Sequence, residues 1–275
     1  SQGPKPGLGA VLPAKKATSE TAATRGNPEG VLLQCPSKHT SFDDVEGLID
    51  FIELIADQTG LPVGIKAAVG QINFWVDIAD MMQASHKGPD FISIDGGEGG
   101  TGAAPLVFSD SVAYPFRIGF AKVFDIFYTR GLHREITFIG SGKLGYPDTA
   151  VAALALGCDM INVGREAMMA IGCIQAQRCH TGHCPTGVAT QSPWLSRGLN
   201  PNDKSVRVMN YLAALQHEIL RLSNSIGVTH PALIPESAVE IIDQKGSAVS
   251  ILNYYGLSSF EQRFRESDLD YLVNN

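Results

Sequence analysis

The chain has 275 residues, 44% of them hydrophobic, and a formal net charge of −7 at pH 7. That length and apolar content suit one substantial core, alone or with a helical appendage, and exclude a disordered or fibrous chain. The longest apolar runs fall well short of the roughly 20 residues that span a bilayer, and there is no basic block, so neither a membrane segment nor a nucleic-acid partner is expected.

Turn formers dominate the first forty residues, where SQGPKPGLGAVLPAKK precedes any periodic pattern. From Asp43 to Gln58, DDVEGLIDFIELIADQ repeats apolar residues at helical spacing and TGLP stops it, which predicts a surface helix. VGIKA at 63–67 predicts a strand with Lys66 at its C-terminal end, and INFWVDIADMMQAS predicts the next helix. PDFISI predicts a buried strand ahead of Asp95 and the glycine-rich DGGEGGTGAAP. REITFIG at 134–140 predicts a third strand, followed by SGKLG and a helix from Pro147 through Ala155. CDMINVG at 158–164 predicts a fourth strand, and REAMMAIG a short helix in which Met168 and Met169 serve packing. Residues 203–225 read as an amphipathic helix, and the last fifty are expected to pack outside.

Alternation of strand and helix means a parallel sheet with helical crossovers. Every distinctive polar or glycine-rich segment follows a strand C-terminus, which is the active face of a (β/α)8 barrel, where the last two loops recurrently build a phosphate site. SGKLG and the later GRE suit such a site, with Gly142, Gly164 and Arg165 offering amides and a guanidinium to a dianion. Only four strands are clear, which is half a barrel.

GCIQAQRCHTGHCPTGVATQ, residues 172–191, places Cys173, Cys179 and Cys184 in one window. With Cys35 and Cys158 the chain has five cysteines; an odd count without a signal peptide argues for a reducing compartment, so the cytoplasm is the expected location. Gly172, Gly182, Pro185 and Gly187 let the backbone wrap an inorganic core. An iron–sulfur cluster is the expected occupant. Zinc held with His180 or His183 is an alternative that lacks the usual Cys-x2-Cys knuckle, and unligated core cysteines are another. Three ligands suggest [3Fe–4S], although the spacing leaves three irons against four open.

QGPKPGLGAVLP at 2–13, VGIK at 63–66, DGGEGGTGAAP at 95–105, SGK at 141–143 and the cysteine segment together resemble the flavin-binding synthase domain of glutamate synthase, most nearly its shorter relatives without the glutaminase domain. The resemblance implies a (β/α)8 TIM barrel that binds FMN and a [3Fe–4S] cluster and reduces 2-iminoglutarate, formed from 2-oxoglutarate and ammonia, to L-glutamate. It begins partway through the family barrel, so this chain is expected to be the C-terminal part of a (β/α)8 barrel with added C-terminal helices. Residues 1–225 would form the barrel domain and 226–275 an extension packed on it, with the earlier strands absent or supplied by a partner chain. Under the resemblance Cys173, Cys179 and Cys184 are the cluster ligands. Lys66 is the cation beside the N1–C2 region of the flavin. Gln2, Ser141, Gly142, Lys143, Gly164 and Arg165 lie at the cofactor, and Lys16 is a weaker candidate for a substrate carboxylate. Asp95, Glu98 and Thr101 follow a strand, where an acid either orients ammonia and delivers a proton or merely ties down a turn.

Electrons would arrive from a ferredoxin or a nicotinamide-linked reductase subunit. Ammonia would come from solution or another subunit, since Ser1 and an isolated Cys35 offer no glutaminase nucleophile. KPGLGA replaces the usual KPGEGG, placing Leu8 where an acid is common, and SIDGGEGGTG replaces ISGHDGGTG. Both departures touch the substrate side. They leave room for a subunit of a glutamate N-methyltransferase-like complex, or for a non-catalytic electron-transfer subunit.

Overall fold

A computed structural model describes residues 11–34, 38–98 and 112–268. β1 (Val11–Leu12) and β2 (Leu33–Gln34) pair antiparallel around α1 (Ser19–Arg25). α2 (Val45–Thr59) starts where the Asp44 carboxylate accepts the Gly47 amide at 2.8 Å and stops at Gly60. β3 (Gly64–Ala68), α3 (Ile72–Ser85), β4 (Phe91–Asp95), α4 (Phe116–Thr129), β5 (Thr137–Ser141), α5 (Pro147–Ala155) and β6 (Met160–Asn162) then alternate. α6 (Arg165–Ala170) and α7 (Pro193–Ser196) flank the cysteine segment, and α8 (Pro201–Ile226) runs from an Asn200 cap to Gly227. β7 (Glu240–Ile242) and β8 (Ala248–Ser250) form a hairpin that leads into α9 (Ile251–Tyr255). Among the described residues no helix is long and apolar enough to cross a membrane.

The central sheet has the order β3-β4-β5-β6, all parallel, flanked by helices: a partial (β/α) barrel with added C-terminal helices. Its two faces follow from the period-two alternation of side chains. Ile92, Ile94 and Phe138 point into the helical layer and are fully buried with Trp75, Phe120 and Phe127. The other face carries Lys66, Ser93, Asp95, Ser141 and Asn162, with Met160 57% exposed toward its base.

α4 occupies a stretch where the sequence reading marks no element. Its large buried residues, Phe116, Phe120, Val123, Phe124 and Phe127, recur at helical spacing, so the apolar stripe is present in the sequence and the reading passes over it. Its first amide is met by the Glu98 carboxylate, whose oxygens accept from Phe116 N at 2.8 and 3.0 Å. The third strand begins later than expected because Gly131, at φ 76°, turns Leu132–Arg134 into a 3-10 turn. The fourth is shorter because Asp159 leaves the ladder and its carboxylate accepts the Phe138 amide at 2.8 Å. From the last fifty residues Ile251, Leu252 and Phe260 enter the main core, and the Phe260 ring centroid lies 4.8 Å from that of Phe124.

Three stability measurements follow. Phe138→Ala is expected to cost about 3–5 kcal/mol in denaturant unfolding, against less than about 0.5 kcal/mol for Met160→Ala on the open face. Glu98→Ala, by removing the acceptor at the start of α4, should cost about 1 kcal/mol, with Glu98→Gln recovering part of it. His133 packs against Phe124 and Tyr128 with neither ring nitrogen hydrogen-bonded among the described residues, and burial, reinforced by Arg134 and Arg263, holds it below its ordinary value of 6.5. The unfolded chain therefore binds that proton more readily, so stability falls as pH drops through about 6.5. A His133→Phe variant should lose that part of the slope in melting curves taken from pH 7.5 to 5.

Candidate functional site

Strand register sets the site. Ala68, Asp95, Ser141 and Asn162 are Cα partners along one row at the C-terminal ends of the four strands, and Lys66 pairs with Ser93 in the row below. Lys66 Nζ lies 2.5 Å from Asp95 Oδ2, with the lysine side chain 42% exposed and the aspartate 4%. A nearly buried carboxylate needs such a partner, because unpaired it would cost several kcal/mol of desolvation. Its second oxygen, Oδ1, is buried and has no hydrogen-bond partner among the described residues. Asn162 Nδ2 donates to Ser93 Oγ at 3.3 Å, joining β6 to β4 across the intervening strand.

The loops beyond the strands are tied together. Gly96 N donates to Ser141 O at 2.7 Å, and Arg165 Nη2 donates to Glu98 O at 2.9 Å, so the segments after β4, β5 and β6 meet. Gly142 sits where a Cβ would come within 2.6 Å of Phe116 Cβ, so only glycine lets this loop lie on the start of α4. Lys143 follows with left-handed backbone at φ 55°. A cavity of about 240 Å³ opens beside this loop, walled by Glu98, Phe116, Arg117, Lys143 and Tyr255. Burial pushes the Tyr255 hydroxyl up, partly offset by the neighbouring Arg117 guanidinium. Among the described residues nothing lies within 4 Å of a Cβ added at Gly164.

α6 leads from Arg165 directly into the cysteine loop. Cys173 Sγ accepts hydrogen bonds from the Gln175 amide at 3.4 Å and the Gln175 side chain at 3.3 Å. Gln175 and Gln177 both adopt left-handed backbone, at φ 56° and 53°, a strained choice for residues with a Cβ. Cys179 opens a 3-10 turn closed by Gly182, and Thr190 Oγ1 donates to Gly182 O at 2.6 Å. Burial raises the Cys179 thiol, and the charges of Cys184 and Cys173 raise it further, so all three sulfurs act within one neighbourhood. Burial also pushes Cys184 up, but the Thr186 hydroxyl and the amides of Ala189, Thr186 and Val188 outweigh it and bring the thiol down to about 7. Among the described residues no three His, Cys, Asp or Glu side chains gather tightly enough for a single metal ion. A multi-iron core is wider than one ion, and sulfur-directed amides are the donor set that stabilises its thiolates.

The structure thus joins Lys66 to Asp95 and Arg165 to the Glu98 backbone. It turns the Glu98 carboxylate toward α4. Lys16 lies at the cysteine loop, donating to Cys179 O at 2.7 Å. Gln2 and Thr101 lie outside the described residues. Sequence reasoning passed over Ser93, Asn162, Gln175 and Thr186. For the first two a signal existed, since each is a polar residue in an otherwise apolar strand, in step with Asp95 and Ser141. Gln175 and Thr186 each stand two residues from a cysteine, and nothing local marks them as sulfur donors.

Residues 1–229 match the family model described as the conserved region in glutamate synthase. The chain is 36% identical over 238 residues to the glutamate synthase large subunit-like protein YerD of Bacillus subtilis, covering 86% of this chain and 45% of that protein. It is 37% identical over 227 residues to an archaeal glutamate synthase [NADPH] of Methanocaldococcus jannaschii, covering 82% and 44%. A ferredoxin-dependent glutamate synthase of Cyanidium caldarium matches at 33% over 233 residues, 82% of this chain and 14% of that protein. The chain spans a little under half the length of the first two relatives. With a family match over residues 1–229 laid on a parallel sheet whose strand ends carry the polar row, the chain belongs to the glutamate synthase family.

Proposed function

We propose that the chain is the FMN- and iron–sulfur-binding part of a glutamate synthase-type oxidoreductase that reduces 2-iminoglutarate, formed from 2-oxoglutarate and ammonia, to L-glutamate. The observation that carries this reading is the continuity of two loops: α6, only six residues long, links Gly164–Arg165 at the strand ends to Cys173. Six helical residues rise about 9 Å, so a flavin at the strand ends and a cluster at the thiols would stand close enough to exchange electrons. FMN when bound supplies the hydride to the imine, and the cluster supplies electrons one at a time.

The chain's own residues would act as follows. Ser141, Gly142, Lys143, Gly164 and Arg165 hold the flavin phosphate through amides and cationic heads, as the tied loops after β4, β5 and β6 favour. Lys66, aimed by Asp95, places positive charge where negative charge grows on the flavin. Of the two acids, Asp95 is the one that would orient ammonia or a developing amine, through the Lys66 ammonium it holds, and Glu98 orders the adjoining loop. Cys173, Cys179 and Cys184 ligate the cluster, and Gln2 completes the cofactor face. Residues 1–225 then act as barrel and 226–275 as its packed extension. Both outer edges of the four-stranded sheet are open among the described residues, and further strands from another segment or a partner chain would close them. Relatives named for NADPH and for ferredoxin support a donor of either class.

Iron, acid-labile sulfide and FMN per chain, measured on anaerobically purified protein in its native assembly, test the reading. Near-stoichiometric FMN and about three irons are expected, with iron lost and flavin kept in Cys179→Ser. Lys66→Met should lower kcat for glutamate formation about 10²-fold or more. Iron without flavin, and no glutamate from 2-oxoglutarate and ammonia under a reductant, would make this an electron-transfer subunit instead.

A further inference from the structure

Lys16 is placed by its own segment. Residues Ala14–Lys16 form a 3-10 turn in which Lys16 N donates to Pro13 O at 2.8 Å. Ala17 behind it is 2% exposed, and its carbonyl accepts Gly30 N at 2.9 Å. Thr18 then caps α1. With the backbone held on both sides, the side chain crosses to the cysteine loop, where Nζ donates to Cys179 O at 2.7 Å. The same carbonyl accepts Gly182 N at 3.4 Å, so the ammonium covers the carbonyl end of the Cys179–Thr181 turn. A Cβ on Gly182 would stand 3.2 Å from Lys16 Cε, so the glycine leaves room for this crossing.

We infer that Lys16 is a positioning residue for the iron–sulfur group, its fixed positive charge beside Cys179 raising that group's reduction potential. The inference rests on the cluster reading above. Each reduction takes one electron from the donor protein, which is oxidised by one electron, and would add one negative charge to the iron–sulfur core that the thiolates hold. A cation held a few ångströms away, in surroundings less polar than water, favours the more negative state, and net charge is one of the terms that set such potentials. Lys16 thereby makes the cluster a better acceptor from the donor and a weaker reductant of the flavin.

The test is an EPR-monitored redox titration of the anaerobically purified full chain in its native assembly, with iron counted on each sample. Lys16→Met removes the charge and the bond, Lys16→Gln keeps an amide donor without the charge, and Lys16→Arg keeps the charge. The expected result is full iron in all, a midpoint shifted to more negative potential in Met and Gln, and little shift in Arg. Full iron with an unchanged midpoint in Met and Gln overturns the inference. Iron lost from both neutral variants but kept in Arg also overturns it, leaving Lys16 a staple of the loop. A parent without iron would instead defeat the cluster reading.

Discussion

Parallel, in-register pairing of four strands is the constraint on which the molecule depends. It aligns Ala68, Asp95, Ser141 and Asn162 in one row, and alternation sends the neighbouring residues into the helical layer. Ile92, Ile94 and Phe138 are excluded from water as a consequence, and burial of that apolar face is what holds the sheet to its helices. A slip of one residue would turn Asp95 into the core and Ile94 out to solvent. Site and core are therefore set by a single register.

Charge at the strand ends is arranged to survive that placement. Asp95 sits on the most interior strand pair and is almost wholly buried, while Lys66 on the edge strand keeps part of its side chain in solvent. The lysine can thus carry its charge at small desolvation cost and still satisfy the carboxylate. Around the pair, the Arg165 contact with the Glu98 carbonyl and the Gly96 contact with Ser141 draw three separate loops into one rim. That rim depends on Gly142, the close approach to Phe116 leaving no space for a side chain.

The cysteine loop solves a different problem. Three thiols close enough to disfavour one another's ionisation need donors aimed at sulfur, and the loop provides them through Gln175 and the amides after Cys184. Left-handed backbone at Gln175 and Gln177 costs of order 1 kcal/mol or more each and persists only because the surrounding structure imposes it. α8 packs against α6 and Lys16 bonds the cysteine loop, so residues far apart in the chain share in holding it.

Residue type and spacing determined much of this by themselves. The alternation of apolar runs with glycine-rich breaks dictated a parallel sheet with helical crossovers, Asp95 at a strand end and the cysteine window, because period and turn chemistry act locally. Lys66, expected at the end of its strand, stands instead in the middle of β3 because that strand runs on to Ala68. Tertiary structure decided the rest. The Glu98 carboxylate turns to the first amide of α4, 18 residues further along the chain. Lys16 reaches a carbonyl 163 residues away, and Ile251, Leu252 and Phe260 close the core from the far end of the chain. Such contacts join residues with no local relation, so their physical cause is packing between elements, which no window of sequence contains.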